Sequence, residues 1–285
     1  MKRALLAVLV ATLVALPAMA FDFNKLTKIV ETAKDVKNAL GTPEEQEERE
    51  IGADFAATLL GASKPVADPK LQEYVNRVGL WVALQGERPE LPWRFAVLDN
   101  PNVNAFATPG GYVFITRGLL ERLHSEAELA GALAHEIAHV QRRHHLKAVK
   151  KEARLKLLGR GAAHVAKKNT DADEMERLNK VAGVAKGLYA RGLDKADEFE
   201  ADREGVRLAA RAGYDPYGLA QVLQTLDAVS PDSTQFALLF KTHPKPADRL
   251  AELDKALGAQ LDLVAAQPTL SERFTKFVPA TTTTK

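Results

Sequence analysis

Five residues, His135-Glu136-Ile137-Ala138-His139, constrain this chain more than any other stretch, because their chemistry works on only one kind of backbone. Residues four apart on an α-helix point the same way, so two imidazoles at this spacing reach one tetrahedral zinc only if the segment is helical. Glu136 lies one step round, close enough to take a proton from a water at the metal without itself binding the metal. Ile137, Ala138 and Val140 make the surrounding helix apolar enough to be buried. The start of that helix is written upstream, where Ser125-Glu-Ala-Glu128 forms a capping box: Ser125 accepts the N3 amide hydrogen bond and Glu128 reaches back to the N-cap. The competing reading is two unrelated histidines beside a glutamate in a chain with 7 histidines. A capped, largely apolar helix around them weighs against it.

Two histidines do not complete a zinc site, and cysteine is absent from the chain, so the remaining ligand must be His, Asp or Glu. The same absence excludes disulfides, a thiol nucleophile and a lipid-modified cysteine. His145 stands where HExxHxxGxxH sites place a third histidine, but Arg142 replaces the glycine. If the helix continues, His145 lies about 240° round from His139 and His144 about 140°, so both are expected to face away. A carboxylate fits better. In Asp197-Glu198-Phe199-Glu200-Ala201-Asp202 the pair Glu198 and Asp202 is four apart, so one can ligate while the other orients a ligand histidine. Glu200 and Glu204 have the same spacing on nearly the opposite face, and spacing alone does not choose between the pairs.

The rest of the chain reads as mostly helix with one small sheet. Helix starts are expected at Thr42-Pro43-Glu44-Glu45 and about Asp68, and again at about Leu146, Glu174, Asp194, Asp215-Pro216 and Pro244-Lys-Pro246. The polar loop Asn169-Thr170-Asp171 separates two of these helices. Trp93 to Leu98 and Tyr112 to Ile115 read as strands, with Asn104-Ala105-Phe106-Ala107 between them and a turn at Pro109-Gly110-Gly111. At the N-terminus, Lys2 and Arg3 precede an apolar run of 13 residues from Ala4 to Leu16, followed by Ala18-Met19-Ala20, the pattern of a cleaved export signal. Removing it leaves 37 basic and 37 acidic residues, a balance that argues for no nucleic-acid partner. No later stretch is apolar enough to span a bilayer, so the exported body is expected to be soluble. The basic run Arg142, Arg143, Lys147, Lys150 and Lys151 fits a solvated helix face or contact with a membrane surface.

Four pieces in order resemble the gluzincin metallopeptidases, the family that includes CAAX prenyl protease 1, the heat-shock protease HtpX and the periplasmic β-barrel assembly-enhancing proteases. They are Asn104 to Leu120, His135 to Val140 with Arg143-His144, Glu198 to Asp202, and Thr242-His243-Pro244 followed by Arg249. The resemblance implies that His135, His139 and Glu198 hold one zinc ion per chain, that Asp202 stands behind them, and that Glu136 is the catalytic base. It also implies that His243 approaches the metal as a plug or an electrophilic helper and that Arg249 pairs with an acidic residue or with substrate. Asn104, Ala105, Phe106 and Ala107 would form an edge strand for an extended substrate, although an interior strand fits the residues as well.

The implied fold is α+β, mainly helical: a zincin-like metallopeptidase with a small sheet packed on the HExxH helix. The implied organisation is a signal at 1–20, an N-terminal helical segment at 21–43, the peptidase domain at 44–260 and a partly disordered tail at 261–285. The expected function is zinc-dependent hydrolysis of peptide bonds in unfolded or misassembled envelope proteins in the periplasm. The alternative is a chaperone-like binding protein with a closed or latent zinc site. The family's membrane spans and repeat domain have no counterpart in this sequence, which argues against prenylated substrates and leaves recruitment to a membrane assembly machine unsupported.

Overall fold

The computed structural model describes residues 43–159, 192–228, 234–261 and 266–278. The chain divides into two compact units, 1–46 and 47–285. Of the first, only the opening turn of α1 is among the described residues; the remaining elements belong to the second. In chain order they are α1 (Pro43–Ala62), α2 (Pro69–Ala83), β1 (Arg94–Leu98), β2 (Ala105–Thr108), β3 (Tyr112–Thr116), α3 (Arg117–Leu120) and α4 (Glu126–Gln141). There follow α5 (His144–Gly159), α6 (Lys195–Arg211), α7 (Gly218–Asp227), a 3-10 turn (Thr234–Phe236), α8 (Ala237–Thr242), α9 (Pro246–Leu261) and α10 (Ser271–Thr275). The expected export signal, the segment 21–42, the loop 169–171, the helix 174–190 and the tail from 279 lie outside the described residues. Among the described residues no helix is long and apolar enough to cross a membrane.

The motif helix α4 runs through the core of the second unit. Every residue from Glu126 to Val140 is buried, as expected of a helix inside a core rather than laid on its surface. Its N-terminus is capped by Ser125, whose hydroxyl accepts from the Glu128 amide at 3.1 Å. The return bond differs from a standard capping box: the Glu128 carboxylate accepts from the His124 amide at 2.8 Å, one residue before the N-cap. Two glycines let neighbouring helices approach the α4 backbone. A Cβ on Gly205 of α6 would lie 2.9 Å from the His135 nitrogen, and one on Gly131 of α4 would lie 2.5 Å from the Leu219 nitrogen of α7. No side chain fits at either contact, so α6 and α7 are held at backbone distance from α4.

The sheet has the order β1-β3-β2, with β1 parallel and β2 antiparallel to β3. The turn between β2 and β3 uses Gly110 at φ 79° and Gly111 at φ 100°, a region in which glycine is not penalised. Val97, Ala107, Val113 and Ile115 share one apolar cluster with Leu129, Leu133 and Ile137 of α4, so the expected mainly helical fold with a sheet packed on the motif helix is the observed one. The outer side of β1 is closed by two side-chain amides of α2. Gln72 bonds the nitrogen and oxygen of Val97 at 2.9 and 2.8 Å, and Asn76 bonds those of Phe95 at 3.1 and 2.5 Å. The other outer strand is β2.

Part of the stretch expected to be tail packs on the core. Phe274 of α10 is 1% exposed. Its neighbour Arg273 pairs with Glu126 at the first position of α4, which also accepts hydroxyl bonds from Tyr74 at 2.9 Å and Tyr214 at 2.8 Å. A buried carboxylate is tolerated only with such partners, and three helices and the loop between α6 and α7 meet on this one.

Candidate metal centre

On α4, His135 and His139 present Nε2 atoms 3.1 Å apart. On α6, Glu198 places its carboxylate oxygens 3.6 Å from each of these nitrogens. Tetrahedral zinc with ligands at about 2.0–2.1 Å separates its donors by about 3.3 Å, so the triangle has the size that zinc requires. The donor set of two imidazoles and a carboxylate suits the same ion. Glu198, Asp202 and Gly205 repeat along one face of α6, and the approach allowed by Gly205 brings the two carboxylates to α4.

Behind the triangle, the His135 Nδ1 lies 2.8 Å from Asp202. Arg249 of α9 grips the same carboxylate through Nε at 2.9 Å and Nη2 at 2.5 Å. Burial would raise the Asp202 pKa, but the Arg249 guanidinium outweighs it, with help from His135, and holds it at about 2. Burial would lower the pKa of His135, but Asp202 and Glu198 outweigh it and hold it up to about 9. Metal binding there would displace a proton. Burial drives His139 the other way, well below the usual imidazole range, which favours its neutral ring. Burial also opposes ionisation of Glu198, yet His243 and His139 outweigh it and lower its pKa.

A cavity of about 30 Å³ opens on this group, lined by Glu136, His139, Glu198 and His243 and by Ala105 and Phe106 of β2. Burial raises the Glu136 pKa, partly offset by His135 and His243. His243 ends α8 in extended conformation ahead of Pro244, and its Nδ1 lies 2.6 Å from Glu198. His135, Glu198 and His243 each offer a donor atom within 4.8 Å of the others. Among the residues expected to meet substrate, Ala105 and Phe106 line the cavity. Asn104 is buried, with its side chain accepting from the Ala105 amide at 3.0 Å, and Ala107 is buried against the core. Arg249 is turned toward Asp202 and does not line the cavity.

One expectation needs correction. The motif helix does not continue through Arg142. It ends at Gln141, Arg143 adopts φ 57°, and His144 opens α5. The redirected chain brings the His144 Nδ1 to 2.9 Å from the His139 Nδ1 and puts His145 in the wall of the cavity, where burial lowers its pKa to about 4. The angles computed for a continuous helix placed both rings away from the site. Of the two acidic pairs, Glu198 and Asp202 are the one that lies against the histidines of α4. Glu200 and Glu204 lie 3.4 and 3.1 Å from Arg142, on the side of α6 away from the triangle. Sequence reasoning missed Gly205 and Gly131 as well, although a glycine inside a helical pattern is a signal of close packing.

The basic run is largely paired. Arg142 meets Glu87, Glu200 and Glu204, Arg143 meets Glu48, Lys150 meets Glu47 and Lys151 meets Asp194. Arg88 joins Glu48 at 2.7 Å and donates to the Val140 carbonyl at 3.3 Å, tying the end of α4 to α1.

The sequence model of peptidase family M48 matches residues 69–257 of this chain. The β-barrel assembly-enhancing protease of Escherichia coli K12 is 29% identical over 249 residues, which is 86% of this chain and 51% of that protein. The protein of the same name from Yersinia pestis is 31% identical over 204 residues, 70% of this chain and 42% of that one. The mitochondrial metalloendopeptidase OMA1 of Schizosaccharomyces pombe is 27% identical over 213 residues, 73% of this chain and 58% of that protein. The chain spans about half the length of the curated relatives it matches.

Proposed function

The chain belongs to peptidase family M48, and from that premise we propose that it is a zinc-dependent endopeptidase that cleaves unfolded or misassembled cell-envelope proteins in the periplasm. The observation that carries this reading is the zinc-sized triangle of His135, His139 and Glu198 with Glu136 in the wall of the same cavity. Its peptidase domain is 44–260, behind an export signal at 1–20.

Zinc bound there would supply Lewis acidity toward the scissile carbonyl and lower the pKa of the attacking water. Glu136, whose pKa is raised by burial, accepts the proton of that water on its carboxylate and returns it to the leaving amine. Asp202, held by Arg249, fixes the ring of His135 with its Nε2 toward the triangle. Arg249 therefore acts as a positioning residue rather than on the substrate. His243 lines the same cavity as Glu136 and, when released from Glu198, can donate to the developing oxyanion. An extended peptide pairs along β2, where Ala105 and Phe106 lead into the cavity, and backbone pairing of this kind tolerates many sequences. The names of the bacterial relatives support an envelope substrate.

The zinc-loaded chain is expected to cleave casein, and Glu136→Gln is expected to keep the metal while hydrolysis falls about 10²- to 10⁴-fold. Full activity in that variant would sink the mechanism. The second reading, a binding protein with a closed site, is favoured by the contact of His243 with Glu198 at 2.6 Å. His243→Ala separates them: an electrophilic helper loses activity on substitution, whereas a plug releases it.

A further inference from the structure

We propose that His144 is a positioning residue that fixes the ring of His139 and connects it to the carboxylates of Asp197 and Glu200. The inference rests on the metal reading of His139.

The two Nδ1 atoms of His139 and His144 are 2.9 Å apart, with ring centroids 5.1 Å apart and planes at 75°. Both side chains are almost fully buried, His139 at 1% and His144 at 0% exposure. Two lone pairs cannot face each other at that distance, nor can two N–H groups, so one proton lies between the rings. A metal on the His139 Nε2 uses that nitrogen's lone pair and leaves the proton on its Nδ1. The Nδ1 of His144 is then the acceptor, and His144 carries its own proton on Nε2. That atom faces Glu200 at 3.4 Å, with Asp197 at 3.7 Å. The two ligand histidines are thus braced differently: His135 directly by a buried carboxylate, His139 through a neutral imidazole.

His144, Asp197 and Glu200 also have donor atoms within 4.8 Å of one another, close enough for a cation of their own. Proton bookkeeping disfavours that use alongside the first metal. A cation on the His144 Nε2 would leave its proton on Nδ1, opposite the Nδ1 proton of a ligated His139, and one ring would have to become an imidazolate. Glu200 is also within 3.4 Å of the Arg142 guanidinium. The cluster acts as a brace for the first site instead of forming a second one.

The test is zinc affinity of the full chain, measured by chelator competition, in the parent and in two variants. His144→Phe removes the acceptor and should bind zinc about 10- to 100-fold more weakly. His144→Asn returns an oxygen near the position of Nδ1 and should stay within a few-fold of the parent. Unchanged affinity in His144→Phe overturns the proposal, as does a second zinc per parent chain that this variant loses. No zinc on the parent chain would overturn the metal reading itself, and this inference with it. Should the Phe variant not fold, ring nitrogen NMR of the zinc-loaded parent decides: a proton on Nε2 of His144 is expected, and one on its Nδ1 overturns the assignment.

Discussion

Two clusters of histidine and carboxylate flank His139, one at each ring nitrogen, and each has donor atoms close enough together for a cation. On the Nε2 side are His135, Glu198 and His243; on the Nδ1 side are His144, Asp197 and Glu200. Both mix histidine with carboxylate, and both draw their carboxylates from α6. The difference lies in burial and in the partner of each carboxylate. Glu198 has 1% side-chain exposure and meets only histidines, whereas Glu200 has 39% and lies against Arg142. A carboxylate committed to arginine and water is a poor ligand, while one buried among imidazoles has no better use for its charge than a cation.

The sharpest way to break this comparison is to remove the corresponding glutamates one at a time. Glu198→Ala is expected to weaken zinc binding by more than about 100-fold, beyond the usual effect of an outer residue. Glu200→Ala is expected to cost less than about tenfold, because it acts one imidazole away from the metal. Equal losses, measured by chelator competition, would show that the clusters are not distinct.

The arginines behind the two clusters differ in the same way. Arg249→Met leaves Asp202 buried without its main partner and is expected to cost about 3–5 kcal/mol, read from the denaturant midpoint of the chelator-treated chain. Acid gives a related effect. The folded-state pKa of Asp202, about 2, lies below its ordinary 3.8, so its contribution is present above about pH 4 and is lost as pH falls toward 2. This amounts to about 2 kcal/mol. The chelator-treated chain should destabilise through that window, and Asp202→Asn should flatten its slope. Arg142→Met, at a site with 30% side-chain exposure, is the smallest change, expected within about 1 kcal/mol. A larger loss would mean that Glu200 and Glu204 depend on Arg142 more than surface pairs do.

How much of this was legible in sequence follows from the range of each interaction. The motif helix was readable because Ser125 and the four-residue histidine spacing are local signals. The small sheet was readable from short runs of strand formers bounded by glycine. The choice of Glu198 over Glu200 was not settled by residues alone, since both pairs have helical spacing. Arg142, just past the end of α4, pairs with Glu200 and Glu204, a contact remote in sequence, and the family resemblance had pointed to Glu198. The break at Arg143 was illegible for a different reason: a non-glycine residue at φ 57° is uncommon and has no strong sequence signature. Missing it misplaced His144 and His145 together. The bond of Arg273 to Glu126 joins residues 147 apart in sequence, beyond the reach of any periodicity.

Anomalous diffraction at the zinc edge from crystals of the metal-loaded chain tests the central claim most directly. The account predicts one peak about 2 Å from the Nε2 atoms of His135 and His139 and from the Glu198 carboxylate. A peak among His144, Asp197 and Glu200, or none between α4 and α6, would contradict it.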